Sequence, residues 1–340
     1  MEYFVKRGYI RDTSIRAAPY DWRLAAGKNF HIAIPSPYVV YILNALAEEL
    51  ERRNYYSALK QLVEEMYTQN DNTKVTLVVH SMGGPVSLYF LTSGIVTQEW
   101  KDTYINSYIT LAGAWSGGNR ALLGLVSGLF AYRQELLLFF EHLFNQLLRP
   151  IFRSMQSAYW MLPRASVWNS TVLISTPSRN YTASDYEALF NDIGYSQGYM
   201  QFNGIQGINV EWPAPNVSTF CFYGVGLKTD EVFVYDDGFP NDVPTRLIKG
   251  DGDGTVNLPS SEVCLRWANS GYPFNRTTFE GVEHLAIVSN VTILKTIGSI
   301  VGAPVDPIDS AAIAVTLVHY SVMFASLVMT CMGSHVLIAG

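Results

Sequence analysis

The stretch Val75 to Leu91 reads VTLVVHSMGGPVSLYFL, and it restricts the possible folds more than any other part of the chain. Val75 to Val79 is continuously apolar, the pattern of a short strand buried on both faces of a parallel sheet. Pro85 to Leu91 reads as a helix with proline in its first turn, where the missing N–H would be unpaired anyway. Between them lies a turn of small residues. Strand, sharp turn and helix in that order form an elbow that presents a nucleophile. The turn residue is strained, so its neighbours must be small for strand and helix to approach. Ser81 stands at the turn, and Gly83 and Gly84 supply the small side. Val79 stands where the usual pattern has a first glycine, which suits a strand end but crowds the elbow.

The rest of the chain has the same alternating character. Glu48 to Tyr67 carries Leu50, Leu59, Leu62, Val63 and Met66 on or near one helical face. Tyr104 to Leu111, Phe220 to Val225 and Thr277 to Glu280 are strand candidates, and Ala121 to Leu148 is apolar with a helical pattern. Its run Leu136 to Phe140 suits core packing, or a lid facing lipid. No internal repeat is visible. Strands alternating with helices imply an α/β fold with a mostly parallel sheet. Lys28 to Ala47, with two prolines and a long apolar run, interrupts this rhythm.

A nucleophilic serine needs a base, and the base needs an orienting carboxylate. On α/β-hydrolase folds these follow in the order Ser, Asp, His. Of the six histidines, His31 lies before the elbow, His142 in an apolar helical stretch, and His319 and His335 near the C-terminus. His80 is adjacent to Ser81, and the turn is expected to direct its side chain elsewhere. His284 sits in a loop after a strand candidate and before a helix candidate, the place for the base. The acid is expected at Asp253, in the tight loop Lys249 to Leu258 (KGDGDGTVNL), with Asp251 shaping the turn through backbone N–H groups. This loop also resembles a calcium loop beginning at Asp251, with Asp253 third and Glu262 twelfth. The required sixth-position glycine is Val256, so no metal is expected there.

Charged residues make up only 15% of the 340, against roughly 25% in an ordinary soluble domain. A net charge of −6 provides no basic field for nucleic acid. The three cysteines, Cys221, Cys264 and Cys331, show no CxxC spacing for zinc or redox chemistry, and Cys221 and Cys264 could pair. Glycosylation sequons begin at Asn169, Asn180, Asn216, Asn275 and Asn290, a mild excess pointing to the secretory pathway. Met1 to Arg16 lacks the apolar core of a signal peptide. No Asp, Glu, Lys or Arg occurs from Ser310 to Gly340, and Ala311 to Met332 is long enough to span a bilayer. A lipid-anchor signal and a buried helix are the rival readings.

With Ser81, Asp253 and His284 in this order, the chain resembles the lecithin–cholesterol acyltransferase family, most nearly its lysosomal phospholipase A2 group. The resemblance is carried by Ala18 to Arg23 (APYDWR), His80 to Gly83, Trp100 to Asp102, Ser175 to Pro177 with Asn180 to Thr182, Asp192 to Tyr195, Gly250 to Asn257 and Glu283-His284. These run collinearly from about residue 3 to residue 301.

The resemblance implies an α/β-hydrolase domain over residues 1–302 with a cap or lid insertion at about 116–215, then an apolar tail at 303–340. It implies a phospholipase A and O-acyltransferase that works at a membrane surface, with phospholipid as substrate and water or a lipid alcohol as acceptor. No cofactor or metal is implied. Ser81 is the implied nucleophile, His284 the base and Asp253 its orienter. The Met82 backbone N–H is the implied oxyanion donor, and Trp115 lines the acyl groove or packs in the core. It also implies a Cys221–Cys264 disulfide and a lysosomal or secreted location. The family's N-terminal strands have no counterpart here. One of them carries the second oxyanion donor and lies between a Pro19–Trp22 strand and the elbow strand. Its loss is expected to leave a gap in the sheet centre. Two alternatives are a catalytically impaired, membrane-attached fragment and a general carboxylesterase.

Overall fold

The computed structural model describes residues 1–26, 39–128, 148–205, 208, 212–241, 243–304 and 336–339; for 39–52 and 336–339 it describes the backbone. Ala311 to Met332, Leu136 to Phe140 and most of Lys28 to Ala47 lie outside these residues. Among the described residues no helix is long and apolar enough to cross a membrane.

The main sheet has six strands. They are β1 (Ile15–Ala18), β2 (Val75–His80), β3 (Ile105–Leu111), β6 (Thr219–Val225), β9 (Phe274–Glu280) and β10 (Val336–Ala339), in the order β1-β10-β2-β3-β6-β9. The pairs β2–β3, β3–β6 and β6–β9 are parallel, as the alternation of strands and helices predicts. The first strand ends before Pro19, not at Trp22 as the sequence reading has it.

β2 is buried along its whole length because both of its faces are covered. Val75, Leu77 and Val79 join one apolar cluster with Tyr56, Leu59, Val63 and Met66 of the helix Val39–Gln69 and Val86 and Phe90 of the helix Gly83–Thr92. Val78 joins a second cluster with Phe4, Ile109, Phe222, Ile293 and Ile297, the last two from the helix Val291–Ile300. Side chains alternate between the faces of a strand, so both sets of β2 side chains are packed, and its two polar residues are hydrogen-bonded, Thr76 to Ser107 and His80 to the His284 carbonyl.

The expected gap at the sheet centre is filled. β10 lies between β1 and β2 and is antiparallel to both. Val336 is opposite Val79 and Ala18, and Ala339 is opposite Thr76 and Ile15. Four residues of the stretch read as an apolar tail therefore satisfy backbone groups that an open slot would leave unpaired.

A second, four-stranded sheet has the order β5-β4-β7-β8, built from β4 (Val172–Ser175), β5 (Asn180–Thr182), β7 (Thr229–Val234) and β8 (Arg246–Gly250). It joins the expected insertion to residues beyond it in sequence. Cys221 of β6 and Cys264 are joined in a disulfide across 43 residues of sequence. Closing a loop of that length is worth about 4 kcal/mol in the chain-entropy account.

Candidate active site

Parallel strands bring the loops at their C-terminal ends to one edge, where α/β sheets bind ligands. The elbow follows β2, the Ala112 to Gly118 loop follows β3, and the His284 loop follows β9.

Ser81 has φ +54°, the left-handed region that a side chain rarely adopts. It follows β2 directly, and the next helix begins at Gly83. The strain is held by the backbone. The Ser81 N–H donates to the Leu111 carbonyl at 3.0 Å, and the Ser81 carbonyl accepts from Gly84 N at 3.0 Å and Ala114 N at 3.2 Å. The need for a small residue at 84 has a specific source: a Cβ there would lie 2.9 Å from Cη2 of Trp115.

The structure brings the three sequence-assigned residues together. Ser81 Oγ lies 2.8 Å from His284 Nε2, and His284 Nδ1 lies 2.7 Å from Asp253 Oδ2. All three are buried. The other carboxylate oxygen of Asp253 accepts from Thr255 N at 3.0 Å and Val256 N at 2.7 Å, which fixes the rotation of the group. Asp251 accepts from Gly226 N and Gly252 N, both at 2.7 Å, and so shapes the turn. Gly224 is required where the base loop approaches: a Cβ there would lie 2.1 Å from the Val282 carbonyl oxygen and 3.1 Å from the Asp253 Cβ.

A carboxylate bound to Nδ1 needs that nitrogen protonated. Nε2 of a neutral ring then carries the lone pair and faces the serine hydroxyl. The arrangement can remove the Ser81 proton and hold the resulting imidazolium. Among the described residues no cluster of three or more His, Cys, Asp or Glu could hold a metal ion.

Trp115 lies inside the molecule, not on an open groove wall. It is 3% exposed, packs against Gly84 and Gly113, and meets Trp267 edge to face at 4.8 Å. Its carbonyl accepts from Trp212 Nε1 at 2.6 Å. Of the sequon asparagines, Asn169, Asn180 and Asn275 are exposed and Asn216 and Asn290 half-buried. Asn290 also caps the helix Val291–Ile300 by accepting from Thr292 N and Ile293 N.

The sequence reading directs the His80 side chain away from Ser81 and gives it no further role, but that side chain lies beside the base. Its ring centroid is 4.7 Å from that of His284, and its Nε2 donates to the His284 carbonyl at 2.9 Å. The two residues are 204 apart in sequence, so no local pattern could have paired them.

A parallel-sheet fold with a strained serine at a strand-to-helix turn, faced by a histidine and an aspartate from later loops, defines an α/β-hydrolase. The model of the lecithin:cholesterol acyltransferase family matches residues 1–206 and 195–294. The chain belongs to that family. It is 36% identical over 296 residues to a phosphatidylcholine-sterol acyltransferase of Gallus gallus, covering 86% of this chain and 64% of the relative. It is 33% identical to the corresponding protein of Homo sapiens, covering 86% and 60%. It is also 33% identical to a lysosomal phospholipase A and acyltransferase of Canis lupus familiaris, covering 86% and 64%. The chain thus spans less than two thirds of the length of these relatives.

Proposed function

We propose that this chain is a serine-dependent lipid acyltransferase and phospholipase A acting on glycerophospholipids. The observation that carries this reading is the linked geometry of Ser81, His284 and Asp253 at a strained elbow. The printed names of the relatives supply the lipid class.

In this reading Ser81 Oγ attacks the ester carbonyl carbon while its proton passes to His284 Nε2. The tetrahedral oxyanion takes a hydrogen bond from the Met82 N–H, the amide next after the nucleophile. Collapse breaks the bond to the lysophospholipid oxygen, which leaves with the proton from His284. Water or a lipid alcohol then gives its proton to His284 and attacks the acyl-serine carbonyl; collapse breaks the bond between the acyl carbon and Ser81 Oγ, which takes the proton back from His284 as the acyl product leaves. Asp253 remains ionised throughout and stabilises the imidazolium. The substrate reaches the site from a membrane surface. The disulfide and the five sequons support a secreted or lysosomal setting, where disulfides persist.

The test is fatty-acid release from phospholipid vesicles at acidic pH. Ser81→Ala should abolish it, and unchanged release would sink the assignment. Comparing phospholipid with short-chain esters separates this reading from a general carboxylesterase.

A second reading, a catalytically impaired chain, is favoured by one observation. The strand beside the elbow, Val336–Ala339, is a four-residue segment that runs antiparallel to β2. A fluorophosphonate probe decides between the two: labelling at Ser81 of folded protein supports the enzyme, and no labelling supports the impaired chain.

A further inference from the structure

We infer that His80 is a positioning residue that anchors the loop of the base to the strand of the nucleophile. This rests on the reading of Ser81 and His284 just given.

The loop needs an anchor. His284 is buried, but Glu283 before it and Leu285 and Ala286 after it are exposed. Surface loops move more than the elements they connect, yet here the base must keep its Nε2 within hydrogen-bond reach of Ser81 Oγ. All four polar atoms of His284 are engaged to that end. Its N–H donates to the Asp253 carbonyl at 2.9 Å, and its Nδ1 meets Asp253 Oδ2. Its Nε2 meets Ser81 Oγ, and its carbonyl accepts from His80 Nε2 at 2.9 Å. Three of these bonds go to the other two members of the constellation. The fourth goes to His80.

The fourth bond differs in what it fixes. The contacts with Asp253 place the base relative to the acid, and the acid sits on its own loop after β8. The contact with Ser81 is broken and remade as the proton moves. Among the described hydrogen bonds, the His80 bond alone ties the backbone of residue 284 to β2, the strand that leads directly into the nucleophile. A carbonyl can only accept, so Nε2 of His80 carries a proton, and the ring acts as a donor of fixed direction. The ring is buried, and the adjacent His284 ring, tilted at 42°, packs against it.

Two substitutions isolate the hydrogen bond. His80→Phe keeps an aromatic ring and removes the donor. His80→Gln removes the ring and keeps an N–H donor at similar reach. The first measurement is amide hydrogen exchange over the peptide 281–288, which does not depend on catalysis. Exchange should rise in His80→Phe and stay close to the parent in His80→Gln. The second is the rate of fluorophosphonate labelling with kcat and KM for a soluble ester. A displacement of the base by about 1 Å costs up to about 10²-fold, so His80→Phe should lose about 10- to 100-fold in kcat and labelling rate with KM little changed. His80→Gln should recover most of that loss.

Unchanged exchange in folded His80→Phe would overturn the anchoring. Exchange that rises while labelling stays at the parent rate would overturn the positioning role. Loss in both variants to the same degree would assign the effect to the ring, not the donor, and overturn the inference as stated. If the parent protein takes no label, the serine reading fails, while the exchange measurement still decides the anchor.

Discussion

Asp253 holds His284 at two points, accepting its backbone N–H on the main-chain carbonyl at 2.9 Å and meeting its ring Nδ1 with Oδ2 at 2.7 Å. The residue that sets the tautomer of the base therefore also sets its position along the chain.

The two tasks separate in Asp253→Asn. The main-chain carbonyl is kept, so the loop stays in place, while an amide NH2 facing Nδ1 favours the wrong tautomer. Activity on ester should fall by about 10⁴-fold with little change in thermal stability. Steady-state kinetics beside a melting curve checks this, and a drop in stability of the size of the activity loss would refute it.

Gly84 and Trp115 form one packed unit beneath the elbow. In Gly84→Ala the new Cβ meets the Trp115 ring at 2.9 Å, and the residue is buried at 3% exposure. A loss of about 1–3 kcal/mol is expected, as for other overpacked cores. Trp115→Leu made in the Gly84→Ala background should cost less than the same change in the parent. A double-mutant cycle by denaturant unfolding measures this coupling.

Removal of residues 336–340 tests the central strand. The deletion leaves facing edges of β1 and β2 without ladder partners at the sheet centre, next to the elbow. Unpaired strand edges also template aggregation. The shortened chain should melt lower and show faster amide exchange in both 15–18 and 75–80. Equal exchange in those segments would show that β10 adds nothing to the sheet.

Asp21 gives a pH signature. The Arg23 side chain donates to its carboxylate, with the Arg23 N–H adding a second bond, and together these hold its pKa below the ordinary 3.8. A lowered folded pKa means stability that is present above the unfolded value and lost as pH falls through the folded one. Asp21→Asn should therefore cost the same at neutral pH as at about pH 5, and the curves of variant and parent should converge only at more acid pH. The pair is partly exposed, so the loss should stay within about 1 kcal/mol. Melting temperatures across a pH series check the sign.

Much of the site is legible from short-range patterns. The elbow shows because a doubly buried strand reads as a nearly continuous apolar run and a strained turn needs small residues where strand and helix approach. Asp253 and His284 show because each sits in a loop rich in glycine or next to one, after an extended segment. The remainder depends on contacts that no local pattern encodes. His80 meets His284 across 204 residues. Gly84 is small because of Trp115, which arrives from the loop after β3. β4 and β5 are short, and the second sheet is closed by the pairing of β4 with β7, whose residues lie 59 apart, as Ile174 and Phe233 do.

The stretch at the C-terminus separates the two kinds of information most clearly. By itself the amino-acid order determines that residues 310–340 carry no charge, which fits a bilayer, a core helix or a strand equally well. Tertiary structure decides for residues 336–339. β1 and β2 stand parallel with one strand's width between them, and their facing N–H and C=O groups are paired there by an extended segment. Sequence likewise determines the chemistry available at Ser81, Asp253 and His284. Their catalytic reach depends on loops from three strands meeting at one edge of the sheet.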